Sequence, residues 1–156
     1  VLKSISKSHG VPGLRLGILA SSNRTFMAAI RKSLPIWNIN SFGEFYLQIY
    51  EKYQTEHEKA CEDFPALRES FSQALRELRF FQVLPSEGNF LMMRVKPPFT
   101  THSLTLSLLE RSNVFVKDLT GKNGIEGDWI RVSVRSKTEN EDFLKACRDL
   151  FEYFMP

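Results

Sequence analysis

The amino-acid sequence predicts an α+β fold, in which helices cover one side of a small antiparallel or mixed sheet. After the first twenty residues, hydrophobic periodicity gives the order helix, helix, helix, strand, strand, helix, strand, strand, helix. The chain has 156 residues, of which 42% are apolar and 25% are charged, as in soluble globular proteins. It is therefore long enough to form one compact domain with a real core.

Two strands and a helix are predicted at the start of the chain. Residues 1–5 are the end of a strand, and residues 14–20 alternate and are rich in branched side chains, which predicts a second, buried strand. Asn23 is a candidate N-cap for a helix through Lys32, which Pro35 ends.

The middle of the chain predicts two further helices. Asn40 or Ser41 would cap the first, which runs to about Glu62, and Pro65 would break or restart it. We interpret the aromatic stripe of this first helix as core packing; it consists of Phe42, Phe45, Tyr46, Ile49 and Tyr53. The following helix has an apolar face formed by Leu67, Phe71, Leu75 and Leu78.

The second half alternates strands and helices. Strands are predicted at 79–84, 89–96, 114–118 and 129–135, with a helix at 102–111. Thr138 and Glu141 are spaced as a capping box for the last helix, whose buried face would be Phe143, Cys147, Leu150, Phe151 and Phe154.

Charge and cysteine usage exclude several functions. The net charge of +3 comes from scattered basic residues, which argues against a nucleic-acid surface but suits anionic substrates. No apolar run approaches the roughly 20 residues that span a bilayer, and no signal-peptide pattern is visible. We interpret Cys61 and Cys147 as small buried hydrophobes in a reducing cytoplasm, and the three histidines lack the spacing of a metal site.

The opening segment concentrates chemistry in a few residues. Lys7 can form a Schiff base with an aldehyde, and Ser4, Ser6 and Arg15 supply the neutral donors and the cationic fork that bind a phosphate ester. Glycines between them allow close backbone approach to a ligand. On composition alone, a solvated turn is the alternative interpretation.

A second group lies near the end of the chain. Period two on a strand puts Arg131 and Arg135 on the same face as Ser133. A guanidinium here would clamp a carboxylate with two parallel hydrogen bonds, and a solvated basic strand face is the alternative.

The opening segment resembles the cofactor-lysine segment of class I/II aminotransferases, which are fold-type I pyridoxal-phosphate enzymes. The resemblance implies that Lys7 forms the internal aldimine, that Ser4, Ser6 and Arg15 hold the cofactor phosphate, and that pyridoxal 5'-phosphate is the cofactor. Seven fixed positions of the pattern are filled, by Ser4, Ser6, Lys7, Gly10, Gly13, Arg15 and Gly17.

Later segments resemble the branch of histidinol-phosphate aminotransferases and threonine-phosphate decarboxylases. Ile-Arg-Val-Ser-Val followed by Thr-Glu-Asn resembles the family's late strand, which implies that Arg131 binds the substrate α-carboxylate. Lys117 and Arg135 would then meet a substrate phosphate or another anion. The segments that begin at Pro35, Pro85 and Val114 also resemble segments of this branch.

The resemblance implies a domain division and an activity. Residues 1–34 would be the last strands of the large cofactor-binding domain, and residues 35–156 the small C-terminal domain. We expect a cytoplasmic, homodimeric aminotransferase that uses an amino acid or amino-phosphate substrate and a 2-oxo acid, with decarboxylation of a phosphorylated amino acid as the alternative.

A third expectation concerns completeness. The glycine-rich turn, the ring-stacking aromatic residue and the aspartate that pairs with the pyridine nitrogen have no counterpart in this sequence. We therefore expect the C-terminal part of a longer enzyme, inactive alone; a non-catalytic stand-alone domain is the remaining alternative.

Overall fold

The computed structural model describes residues 1–154, which divide into two compact units between Cys61 and Glu62. The elements of the first unit are β1 (Leu2–Ser4), β2 (Gly17–Leu19), α1 (Arg24–Ser33) and α2 (Ser41–Ile49). The helix α3 (Gln54–Glu77) runs across the division. The second unit contains β3 (Phe81–Val83), β4 (Phe90–Val95), α4 (Thr101–Ser112), β5 (Lys117–Asp118), β6 (Trp129–Ser133) and α5 (Lys137–Phe154).

The first unit is a two-stranded antiparallel sheet followed by helices. The predicted second strand is shorter than expected, because a 3-10 turn at Pro12–Leu14 precedes β2. The prediction that it is buried is wrong for Gly17 and Ile18, which are exposed, whereas Leu16 just before it is buried. Only two strands pair here, so side chains on one face of β2 meet solvent.

Both predicted asparagine caps are confirmed. Asn23 Oδ1 accepts a hydrogen bond from the Phe26 N–H at 2.9 Å, and Asn40 Oδ1 accepts one from the Gly43 N–H at 2.9 Å. Each cap satisfies one of the backbone donors that a helix leaves unpaired at its start.

The aromatic stripe of α2 is not core, contrary to the sequence-based interpretation. Phe42 is 79% exposed and Phe45 is 59% exposed, and the buried residue of this helix is Gly43. The amphipathic pattern was correctly recognised as helical, but periodicity does not say what covers the apolar face.

The sequence predicted that Pro65 would break or restart the helix, and this prediction is wrong. Pro65 lies inside α3, where its missing N–H leaves the Cys61 carbonyl without its intrahelical donor. Both residues are exposed, so water can satisfy that carbonyl. Cys61 is therefore not the buried thiol that the sequence suggested.

The second unit confirms the α+β prediction. Its four strands form an antiparallel sheet in the order β3-β4-β6-β5. Burial alternates along β6, where Ile130 and Val132 are buried while Arg131 and Ser133 are exposed. One sheet face therefore packs into a core that α3, α4 and α5 complete with Phe71, Leu75, Leu104, Leu108, Phe143, Cys147 and Leu150.

The start of α5 differs from the prediction by two residues. Ser136 Oγ accepts a hydrogen bond from the Glu139 N–H at 3.3 Å, and Glu139 Oε2 accepts one from the Ser136 N–H at 3.2 Å. The capping box is thus Ser136 with Glu139, and the pair Thr138 with Glu141 is not used. The predicted inner face is confirmed except for Phe154, which is 46% exposed.

Candidate active site

The pairing of β1 with β2 brings the first group of candidate residues together. The pairing continues past the strands, since the Ile5 N–H donates to the Leu16 carbonyl at 3.4 Å. Ser6 and Arg15 are the next residues of the two segments, so the loop that joins β1 to β2 begins and ends with candidate residues.

Lys7 lies in the middle of a tight turn. The His9 N–H donates to the Ile5 carbonyl at 3.0 Å, and the Gly10 N–H donates to the Lys7 carbonyl at 3.3 Å. Gly10 has a φ of +65°, which a residue with a side chain resists. Because the turn is closed on both sides of it, Lys7 projects from an ordered backbone, and its side chain is exposed.

The two serines occupy different environments. Ser4 is exposed, and its Oγ accepts a hydrogen bond from the Ser6 N–H at 3.4 Å. Ser6 itself is 7% exposed. Both serines precede Lys7 in the sequence and lie at the start of the turn.

Arg15 has a left-handed backbone, with φ of 56° and ψ of 38°. Such a conformation is uncommon outside glycine and clusters at functional sites. The preceding residue is held by Asn40, whose Nδ2 donates to the Leu14 carbonyl at 3.0 Å. Sequence reasoning recognised Asn40 as a cap but not as this second anchor, although the Trp37-Asn38-x-Asn40 segment pointed to it.

The charge of this segment suits an anionic ligand. Lys3, Lys7 and Arg15 lie in or beside the loop, and no Asp or Glu precedes Glu44 in the sequence. A phosphate ester carrying an aldehyde needs an amine, hydroxyl donors and a guanidinium, and the loop presents all three. The donor set therefore fits pyridoxal phosphate.

The second group of candidates lies in the second unit. The β5–β6 register pairs Lys117 directly with Arg131. Like charges directly opposite each other on paired strands repel, and within residues 1–154 neither side chain forms an ion pair. The guanidinium of Arg131 lies 5.3 Å from the centre of the Phe90 ring.

A cavity of about 590 Å³ opens beside these residues. Its lining includes Lys117, Arg131, Ser133 and Arg135, together with the exposed ring of Phe115. Glu139 and Asp142 also line the cavity, so its three cationic side chains share the lining with two carboxylates.

Arg135 is arranged differently from the prediction. β6 ends at Ser133, so Arg135 does not continue the strand face. Its Nε donates to Glu139 Oε1 at 2.7 Å, and Ser136 Oγ donates to Glu139 Oε2 at 2.7 Å. These contacts lower the pKa of Glu139 to about 2, the hydrogen bond from Arg135 being the largest cause.

Asn140 is a functional residue that sequence reasoning missed. It is buried, its Nδ2 donates to the Arg135 carbonyl and its Oδ1 accepts from the Arg135 N–H, each at 3.0 Å. The amide thus fixes the backbone at the end of β6, where the candidate residues lie. The signal was present as the Thr-Glu-Asn segment.

The described residues contain no group of three or more potential metal ligands, and among the described helices none is long and apolar enough to cross a membrane. The donors of the loop suit an aldehyde cofactor that carries a phosphate. The sequence profile of aminotransferase class I and II matches residues 1–150. The chain belongs to this family, whose members use pyridoxal phosphate.

Individual relatives support the same conclusion. The L-serine phosphate decarboxylase of Sulfurospirillum multivorans is 28% identical over 154 residues, covering 97% of this chain and 39% of the relative. Histidinol-phosphate aminotransferase 2 of Nitrosococcus oceani is 32% identical over 152 residues, covering 95% of this chain and 40% of the relative. A solved decarboxylase structure from Sulfurospirillum multivorans matches with a TM-score of 0.82 and 28% identity, over 96% of this chain and 42% of that one.

These matches confirm the resemblance to histidinol-phosphate aminotransferases and to decarboxylases of phosphorylated amino acids. They also confirm the fold-type I transferase fold. The chain spans about two fifths of the length of these relatives. The division into domains at residues 34 and 35 stays a prediction.

Proposed function

We propose that the full-length protein is a pyridoxal-phosphate enzyme that acts on an amino acid or a phosphorylated amino compound. The observation that carries this proposal is the ordered loop between β1 and β2, which contains Ser6, Lys7 and Arg15 and follows Ser4 at the end of β1. Family membership alone would allow a degenerate site, but here the residue types that suit the aldehyde and the phosphate of the cofactor are present.

The loop residues divide the work of holding the cofactor. Lys7 Nζ would hold the aldehyde, while the Ser4 and Ser6 hydroxyls and the Arg15 guanidinium would hold the phosphate. When bound, the cofactor would supply an electron sink for the substrate α-carbon. The Lys7 amine would accept a proton from that carbon and return one.

Substrate binding is assigned to the cations of the second unit. Arg131 binds the α-carboxylate, and Lys117 binds a phosphate or a second anion. The mutual repulsion of this pair supports the assignment, because an anion placed between them removes an unfavourable contact. Arg135 is assigned to the same anion, which would then compete with Glu139 for the guanidinium.

Transamination with a 2-oxo acid as acceptor is the first candidate reaction. Decarboxylation of a phosphorylated amino acid is the second, and the relatives of that activity favour it. Arg135 also lies where many transaminases have glycine. The resemblance further supports a cytoplasmic homodimer as the full-length form.

The experiment uses the full-length protein and its Lys7→Ala variant. We expect the wild type to yield a Lys7 peptide carrying reduced cofactor after borohydride treatment, and the variant to yield none. Lys32→Ala is the matched control, since Lys32 is an exposed lysine of α1 outside the loop, and it should retain the adduct. A borohydride-stable adduct in Lys7→Ala would refute the assignment.

Products then separate the two reactions. Incubation with O-phosphoserine or O-phosphothreonine gives carbon dioxide and an amino phosphate if the enzyme decarboxylates its substrate. Transfer of the amino group to an added 2-oxo acid without release of carbon dioxide indicates transamination. The absence of both products with a panel of amino acids and amino phosphates would contradict the proposed substrate class.

A further inference from the structure

A cluster of rings in the first unit contacts the lysine loop and has no role in the proposed function. The His9 ring is stacked on the His57 ring with 4.3 Å between ring centres and 19° between planes. His9 Nε2 lies 3.3 Å from the Tyr50 hydroxyl oxygen, and Ser8 Oγ lies 2.8 Å from His9 Nδ1. Both nitrogens of the ring thus have hydrogen-bonding partners.

His9 connects these rings to the backbone around Lys7. Its own N–H closes the turn by donating to the Ile5 carbonyl at 3.0 Å, and Lys7 lies midway between these two residues. The stacked ring and the backbone N–H that closes the turn thus belong to the same residue. The side chains of Tyr50 and His57 come from a 3-10 turn (Tyr50–Tyr53) and from α3, more than forty residues away in sequence.

We propose that Tyr50 and His57 are positioning residues, which hold the turn of Lys7 through the ring of His9 and release it in acid. The proposal rests on the assignment of Lys7 in the proposed function. It adds the means by which this chain orients that lysine and a condition under which the orientation is lost.

The release in acid follows from two imidazoles packed face to face. Protonation of His9 places a positive charge against the face of a second imidazole, at the 4.3 Å stacking distance. The pKa of His9 is lowered, first by burial and then by His57. Titratable or charged groups contact or line this site from every neighbouring element: Lys3 on β1, Tyr46 on α2, Tyr50 and Tyr53 on the 3-10 turn, and Glu56 and His57 on α3.

The sign of the effect follows from the direction of the shift. We call the arrangement closed when His9 is stacked on His57 and open when the turn of Lys7 is released. Because the pKa of His9 is lowered in the closed arrangement, His9 binds fewer protons there than in the open one. The closed arrangement is therefore favoured fully above the ordinary histidine pKa of about 6.5 and is weakened as the pH falls below it.

The test is backbone hydrogen exchange of the full-length protein without cofactor, corrected for the intrinsic effect of pH. In the wild type, we expect the peptide covering residues 5–16 to lose protection between pH 7.5 and 5.5, because His9 binds fewer protons in the closed arrangement than in the open one. His57→Ala should exchange rapidly at both pH values. His57→Phe keeps a ring to stack on but carries no charge, so it should restore protection and weaken the pH dependence, of which the part caused by burial of His9 remains.

Controls separate this effect from unfolding and from the proposed function. His102→Phe changes an exposed histidine of α4 and should behave as the wild type does. Peptides of β4 and β6 report whether a variant is folded. Full protection of residues 5–16 in His57→Ala, or an unchanged pH dependence in His57→Phe, would overturn the proposal.

A second measurement connects the turn to cofactor attachment. Borohydride trapping of pyridoxal phosphate on Lys7 should proceed more slowly in His57→Ala at pH 7.5 and at the wild-type rate in His57→Phe. If no adduct formed in any variant while the exchange results held, the proposed function would fail and the positioning of the turn would stand.

Discussion

Replacement of Arg15 by glycine should separate the backbone role of this position from its side-chain role. The left-handed conformation of Arg15 costs a residue with a Cβ about 1–2 kcal/mol. Glycine avoids this strain but loses about 0.5–1 kcal/mol more conformational entropy on folding. The net effect of Arg15→Gly is a gain of about 0.5–1 kcal/mol in the free energy of unfolding of the cofactor-free protein.

Cofactor binding should change in the opposite direction. Loss of a charge-assisted contact to a buried phosphate costs about 2–5 kcal/mol. At about 1.4 kcal/mol per tenfold, the dissociation constant of pyridoxal phosphate rises by at least about 30-fold. Arg15→Ala loses the same guanidinium but keeps the strained Cβ, so it should bind equally weakly without becoming more stable.

Two assays on the full-length protein test these expectations. Absorbance titration gives the dissociation constant of pyridoxal phosphate, and thermal unfolding of the cofactor-free form gives a rise of about 2 °C for Arg15→Gly. Asn113→Gly is the matched control, because Asn113 also has a positive φ, of 54°, at the end of α4. It should leave the dissociation constant unchanged.

The expected loss of cofactor affinity and the expected gain in stability can each be refuted without the other. An unchanged dissociation constant in both Arg15 variants would refute the phosphate role. A lower unfolding temperature in Arg15→Gly than in Arg15→Ala would refute the strain argument.

Three further outcomes are expected. Glu139→Gln should lower the unfolding temperature at pH 7, and this difference should shrink as the pH falls from about 4.5 towards 2. The pKa of Glu139 is lowered in the folded protein, so its carboxylate stabilises the fold fully above the ordinary pKa and loses this effect as the pH falls through the lowered pKa. A difference that stays constant with pH would contradict the pairing with Arg135. Under native conditions a thiol reagent should label Cys61 and spare Cys147, since burial raises the pKa of Cys147 to about 12, and mass spectrometry of the labelled peptides would show a reactive Cys147 if this is wrong. The 156-residue chain alone should self-associate through the open edges of β1 and β2, and a monomer in sedimentation at high concentration would disprove this.

The sequence predicted elements best where the signal is local. The side chains of Asn23 and Asn40 cap their helices as expected, because a cap depends on residues within one turn. The inner face of β6 was also predicted, since Ile130 and Val132 obey the period of two. The loop of Lys7 was found by its motif, which carries more information than the composition of the same residues.

Other features depended on distant contacts that periodicity does not encode. The helix α3 passes through Pro65, because a lost backbone hydrogen bond on an exposed face is tolerated. The cap of α5 is Ser136 and not the predicted Thr138, since Arg135 and Ser136 together hold Glu139 in place. The stacking of His9 on His57 joins residues 48 positions apart, and nothing in the spacing of two histidines announces it.

The stretch before Glu44, which carries basic but no acidic side chains, has a practical consequence for handling the protein. We expect inorganic phosphate or sulfate in a buffer to bind the same loop donors and to compete with the cofactor. Apparent cofactor affinity should therefore be lower in phosphate buffer than in a buffer of monovalent ions. For the same reason, phosphate should raise the unfolding temperature of a preparation stripped of cofactor, because a ligand that binds only the folded state stabilises it by an amount that grows with the logarithm of its concentration above the dissociation constant.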